Sequence, residues 1–340
     1  MLAITRPTGW GDPPAQAPTL DDIRAAARRL RRTIVRTPLL RAGPDIWLKP
    51  ESLQPTGSFK VRGVGNWAAG LSPATRRRGF STFSAGNTAL ALAWFARRFD
   101  VPCRSILPDY APQIKVQALR ERGVETVLVP FDELADYIFH AGWRSEPYAF
   151  LHPWTEPAMI AGHATIGLEI IEDLPDVETV YVPVAGGALA CGVGCAVKAF
   201  NPGTRIVGVQ TESYPSLAAS LAAGKPVWVK PKPTICDGVA VPFVTDQMFP
   251  LLKQVVDEVL VVTEARVRAA IGRLATDYKL VSEGAGALAL AAALDLPAAR
   301  RGRSVCLVTG GNVPPREFAA GLALAGKRRE HLSALTSPHS

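Results

Sequence analysis

An α/β fold with a mainly parallel sheet is what this sequence predicts, and three observations carry the expectation. Short β-branched apolar runs recur along the chain. Amphipathic helical stretches lie between most of them. Several runs end in small, turn-forming residues that lead directly into the next helix. The expected strands cover residues 47–49, 80–83, 103–107, 126–129, 180–184, 206–209, 259–262 and 305–308. Apolar residues at helical spacing mark 88–99, 115–122, 161–172 and 264–277. Residues 1–18, rich in Pro and Gly, read as an arm, after which Thr19 caps a helix that aligns Leu20, Ile23, Ala27 and Leu30. Residues 331–340 read as a frayed tail.

A chain of 340 residues can bury a large core without disulfides or metals. Its five cysteines are odd in number and sit mostly in apolar runs, which predicts reduced, packed thiols and a cytoplasmic protein. The start lacks a basic segment followed by an apolar block, so no signal peptide is expected. No stretch reaches the roughly 18 apolar residues of a membrane span, so no membrane partner is expected either. The formal charge of +8 raises the question of nucleic acid. The arginines are scattered over 28–32, 76–78, 97–98 and 300–303, several on amphipathic helices and none beside a nucleic-acid motif, so they read as solvated faces.

In parallel sheets, ligands bind beyond the carboxyl ends of the strands. Four segments fit that position. The first, 49–63, carries a Pro55-Thr56-Gly57 turn, after which Ser58 or Thr56 is expected to cap a helix starting near Phe59. Lys60 then falls in the first helical turn, where the helix dipole and desolvation both disfavour an ammonium. A lysine tuned in this way is a nucleophile or imine former, although a lone helix lysine is far more often a solvated surface residue. The second segment, 81–96, ends a strand in Ser84-Ala85-Gly86-Asn87 before an apolar helix that includes Thr88. Gly86 lets the backbone approach a ligand, and the free helix amides suit a carboxylate; an ordinary strand–helix turn explains the string about as well. The third, 182–194, sets Ala185, Gly186, Gly187, Ala188 and Leu189 between a buried strand and a helix, a loop able to wrap a phosphate. Cys191 and Cys195 have no partner ligands nearby and read as core thiols rather than metal ligands. The fourth, 305–314, places Thr309 at a strand end, with its hydroxyl available to a ligand or to local backbone.

Taken in order, these strings resemble the fold-type II family of pyridoxal-phosphate enzymes, in its threonine/serine dehydratase and serine racemase branch, from Thr19 to Val313. The resemblance implies a tryptophan synthase beta-like fold: two open, twisted, mainly parallel sheets flanked by helices. It also implies a discontinuous large domain (1–73 and 156–330), a small domain (74–155) and a homodimer. Lys60, in Q-x-T-G-S-F-K-x-R-G, would carry pyridoxal 5'-phosphate as a Schiff base, with Phe59 beside it. Ser84, Ala85, Gly86, Asn87 and Thr88 would hold the carboxylate of a small amino-acid substrate, and Asn87 would also meet the cofactor's phenolic oxygen. Ala185, Gly186, Gly187, Ala188 and Leu189 would hold its phosphate. Thr309 would face the pyridine nitrogen, and Glu283, in E-x-x-G-A, would contact the cofactor. Segment 152–170 resembles the stretch that returns the chain to the large domain.

The activity so implied is removal of the α-proton by Lys60 and β-elimination from L-threonine, L-serine or both, giving a 2-oxo acid and ammonia; the short stretch after the catalytic region leads us to expect no separate effector domain. Racemisation, β-replacement, and elimination from 3-hydroxyaspartate or diaminopropionate stay open, as does a catalytically silent amino-acid-binding protein. Three departures bear on this. Thr88 stands where many relatives have His. Ala185 and Ala188 replace loop glycines, which requires negative φ there. Gln210 stands where metal-binding relatives carry a glutamate, and Tyr214 and Ser216 restore no acidic cluster, so no metal site is expected.

Overall fold

The computed structural model describes residues 9–336, with side chains through Ala325. Among these residues ten strands form two sheets: β1 (Leu40–Gly43), β2 (Ile46–Pro50), β3 (Phe80–Thr82), β4 (Cys103–Pro108), β5 (Val124–Val129), β6 (Ala149–Phe150), β7 (Thr179–Pro183), β8 (Arg205–Thr211), β9 (Glu258–Val262) and β10 (Ser304–Val308). The larger sheet runs β1-β2-β10-β7-β8-β9 and the smaller β5-β4-β3-β6. Every pairing is parallel except β1 with β2. Each expected strand and helical stretch lies on an element of its kind.

Strand alternation explains the two faces of the larger sheet. Val180, Val182, Ile206, Val305 and Leu307 face one core, shared with the helices Pro157–Asp173, Ala188–Phe200 and Phe249–Val255. Tyr181, Val207, Val209, Cys306 and Val308 face the other, against Glu264–Tyr278 and Gly284–Leu294. The helix Lys60–Gly70 turns Val61, Val64 and Trp67 into the core of the smaller sheet, beside Phe80 and Leu92.

Arg62 anchors that lysine helix. Its guanidinium donates to both Glu51 oxygens (2.7 and 2.8 Å) and both Glu169 oxygens (2.7 and 2.9 Å). The Lys49 ammonium donates to Glu169 at 2.6 Å. Two cations and two carboxylates are thus buried together, with charge and hydrogen bonds balanced. Removing one partner would leave a buried charge uncompensated, so the network fixes the turn that presents Lys60.

Two expectations are corrected. The lysine helix begins at Lys60, with Phe59 at the cap and no side-chain cap, so neither Ser58 nor Thr56 plays that role. Tertiary ties replace the local one: Phe59 N–H donates to the Thr309 carbonyl (3.0 Å), Gly311 N–H to the Gly57 carbonyl (2.8 Å), and Ser58 bridges Gly310. At the other end, the helix Pro315–Thr336 runs into the expected tail because its Ala, Leu, Lys, Arg and Glu favour helix. Residues 1–8 of the arm and 337–340 of the tail lie outside the described residues. Thr19 caps its helix as expected, and Asp22 completes a capping box with it. The remainder of the arm is pinned across the molecule, the Trp10 indole donating to the Ile138 carbonyl and Ala15 N–H to the Gln247 carbonyl at 2.8 Å. No helix among the described residues is long and apolar enough to cross a membrane.

Candidate active site

The sheet order places β2, β10 and β7 side by side, so the loops leaving their carboxyl ends are neighbours. They carry, respectively, the Lys60 turn, Thr309, and the loop from Ala185 to Leu189. The Ser84–Gly86 loop comes from β3 of the smaller sheet and opens the helix Asn87–Phe99. It is tied to the others by Asn87, whose Nδ2 donates to Glu283 Oε1 at 2.7 Å. Glu283 N–H in turn donates to the Gly310 carbonyl at 3.0 Å, next to Thr309. Hydrogen bonds thus link Asn87 to Glu283 and Glu283 to Gly310, beside Thr309, while the Thr309 carbonyl accepts from Phe59 N–H, next to Lys60.

Lys60 is half-buried, and its amine makes no hydrogen bond to any described residue. Burial brings its pKa down from 10.5 to about 8, against the opposing pull of Glu283. Phe59 lies 5.1 Å from the amine and is backed by the buried His163 ring at 4.8 Å. Burial pushes Glu283 up to about 7, although the Asn87 hydrogen bond favours its charged form. Thr309 is buried, and its hydroxyl makes no hydrogen bond to another described residue.

The small-residue loop resolves the question its two alanines raised. The positive-φ residues other than glycine are Asp100, Ala141 and Lys279 among the described residues, so Ala185 and Ala188 both have negative φ. The one left-handed position in the loop falls on Gly187 (φ +103), where a Cβ would come within 2.7 Å of Leu252. At Gly186 a Cβ would meet the Trp154 ring at 2.6 Å. The amides of Gly186, Gly187, Ala188 and Leu189 have no protein acceptor and converge at the start of the helix Ala188–Phe200, an arrangement that suits a phosphate.

The Ser84 loop has similar properties. The Ser84 hydroxyl accepts from Gly86 N–H at 3.2 Å, and the Asn87 and Thr88 amides at the helix start have no protein acceptor. Thr88 is itself buried. Pyridoxal phosphate requires an amine able to shed its proton and a donor cradle for a phosphate; a depressed Lys60 and four open amides fit both requirements.

Gln210 is buried and fully engaged. Its oxygen accepts from Leu217 and Ala218 N–H at 2.9 and 3.0 Å, and its nitrogen donates to the Val184 carbonyl and Ser216 hydroxyl at 3.3 Å each.

Two groups escaped the sequence reading. Lys115 Nζ meets Asp237 at 2.6 Å, an ion pair from the smaller sheet's side of the cleft to the larger's. Asn312 reaches both Asn87 and Thr56. Only Asn312 left a signal, its place directly after the Gly310-Gly311 turn.

A family profile described as pyridoxal-phosphate dependent enzyme matches residues 30–310. An L-threonine ammonia-lyase of Thermotoga maritima is 41% identical over 324 residues, covering 91% of this chain and 80% of that protein. The crystal structure of a T.th. threonine deaminase superposes with a TM-score of 0.79 at 34% identity, over 87% of this chain and 99% of that one. A maize serine racemase superposes with a TM-score of 0.82 at 29% identity, over 95% and 100%.

Proposed function

We propose that this chain, which belongs to the family of pyridoxal-phosphate-dependent enzymes, is an ammonia-lyase that converts L-threonine, L-serine or both to a 2-oxo acid and ammonia. The observation that carries the reading is an amine without a hydrogen-bond partner, brought down to about 8, in a site whose loops hold two sets of open amides. Relatives named for L-threonine deamination supply the substrate class.

Pyridoxal phosphate, when bound, supplies the electron sink that acidifies the substrate's Cα–H. The chain's own residues do the rest. Lys60 would hold the cofactor until the substrate amine takes its place, and the neutral amine so freed would take the α-proton. Amides at Asn87 and Thr88, with the Ser84-Ala85-Gly86 turn, orient the substrate carboxylate. Gly186, Gly187, Ala188 and Leu189 donate to the phosphate, with Ala185 shaping the entry. Glu283 and Asn87 fix the phenolic edge, and Thr309 offers a neutral hydroxyl to the ring nitrogen. Loss of the α-proton and the β-hydroxyl amounts to loss of water; hydrolysis then gives the oxo acid and ammonia. In this reading residues 1–73 and 156–330 form the large domain and 74–155, which holds all of β3 to β6, the small one. A cytoplasmic homodimer completes it, the location supported by five free cysteines, four of them buried.

Incubation with a panel of amino acids, assaying oxo acid and ammonia together, tests the assignment. Turnover of L-threonine or L-serine is expected, and inertness toward both would overturn it. Cofactor uptake by the apoprotein should quicken with pH and level off above about 8, because only the neutral amine adds to a carbonyl. An uptake rate flat through that value would show that the titrating amine is not Lys60. Chelators should leave activity unchanged, because the Gln210 amide already satisfies the Val184 carbonyl and Ser216 hydroxyl, and hard cations need several oxygen ligands, usually with carboxylates. Activity lost to a chelator and restored by magnesium would refute this.

A further inference from the structure

We propose that Asn312 is a positioning residue that sets the orientation of the Asn87 carboxamide, and so the one N–H that Asn87 has left for the cofactor. The inference rests on the cofactor reading above.

Three hydrogen bonds run in a chain from Thr56 to Glu283. Asn312 Nδ2 lies 2.9 Å from the Thr56 carbonyl and 2.7 Å from Asn87 Oδ1. A backbone carbonyl only accepts, so the nitrogen end of Asn312 must face Thr56. The second hydrogen of that NH₂ goes to Asn87, so the Asn87 atom facing it is the oxygen. The Asn87 nitrogen then faces Glu283 Oε1 at 2.7 Å. Because the Thr56 end is a carbonyl that only accepts, the direction of the chain follows from that end. Asn312 spends both N–H groups. Asn87 spends one on Glu283 and keeps one.

Glu283 alone would not hold Asn87 in this orientation. Burial raises Glu283 to about 7, so near neutrality both of its protonation states are populated. The ionised form takes the Asn87 nitrogen, whereas the protonated form can donate to the oxygen. Asn312 breaks that tie. The local backbone makes room for it: Gly57 is left-handed (φ +71), and a Cβ there would sit 2.6 Å from Asn312 Oδ1. Asn312 itself is exposed, so truncating it hollows no core.

The test uses Asn312→Ala and the near-isosteric Asn312→Asp, which cannot donate to Thr56. Three quantities are measured: cofactor retention, the visible absorption band of the bound cofactor with its pH titration, and the unfolding midpoint of the apoprotein. Both variants should hold the cofactor about two- to tenfold more weakly, as for one lost hydrogen bond, with a displaced band titration and an unchanged midpoint. In an Asn87→Ala background, adding Asn312→Ala should change neither retention nor the band. An undiminished effect in that background would place the action of Asn312 in the Thr56 turn and overturn the inference, as would no effect in the parent. A parent protein that acquires no visible band would instead bring down the cofactor reading, and this inference with it.

Discussion

Lys60→Ala should reduce turnover by about 10²–10⁴-fold or more, since it removes a positioned general base together with the cofactor's attachment point. Lys60→Arg should be equally inactive, because a guanidinium does not shed its proton in a protein. Charge retention without rescue would separate chemistry from packing. Borohydride reduction of the parent should fix the cofactor to the peptide containing Lys60. The competing lysines are engaged: Lys49 with Glu169 and Lys115 with Asp237, each at 2.6 Å. A label on either would sink the assignment. The apoprotein offers an independent check through linkage. Lys60 titrates near 8 when folded and near 10.5 when unfolded, so between those values the unfolded chain binds more protons. Stability should therefore rise with pH across that window. The rise should vanish in Lys60→Ala, and its persistence would mean that another group titrates there.

The sequence was most legible where function and local pattern coincide. Three of the strands that end at the site, β3, β7 and β10, lead into small residues, and Lys60, on the loop after β2, lies in a string whose order with the other loops is specific. The alanines at 185 and 188 could be read conditionally, and the backbone meets the condition by assigning its one positive φ to Gly187. What stayed hidden depends on distance along the chain or on a missing period. Arg62 and Glu169 are 107 residues apart, and Asn87 and Asn312 are 225 apart, so neither pairing leaves a local trace. Gly284–Leu294 is buried on nearly every side and has no polar face to reveal its helical period. The expected helix cap failed for a related reason: tertiary hydrogen bonds to Thr309 and Gly311 hold the turn that a local Ser or Thr was expected to hold.

Racemisation should be the minor reaction. Under turnover of L-serine, D-serine should form at less than about one-hundredth of the rate of pyruvate, the lower bound of what a positioned acid contributes. Inverting Cα requires a proton donor on the face opposite Lys60, because one lysine serves one face. The resemblance to the racemase branch implies that a serine immediately before the loop glycine would supply that donor, and here that residue is Ala85. Its methyl is partly buried against the core of the smaller sheet and cannot donate a proton. Ser84 lies one residue earlier, and its hydroxyl is turned back onto its own loop, where Gly86 N–H donates to it at 3.2 Å. Ala85→Ser should therefore raise D-serine formation by roughly tenfold or more, provided that the new hydroxyl comes within about 2.6–3.2 Å of the Cα proton or reaches it through one water. Chiral chromatography of unreacted L-serine after partial turnover reads both quantities. D-serine appearing from the parent as fast as pyruvate would make racemisation the main activity and leave Ala85 without the role argued for it. An Ala85→Ser variant that eliminates normally yet racemises no faster would show that the side chain at 85 does not face Cα.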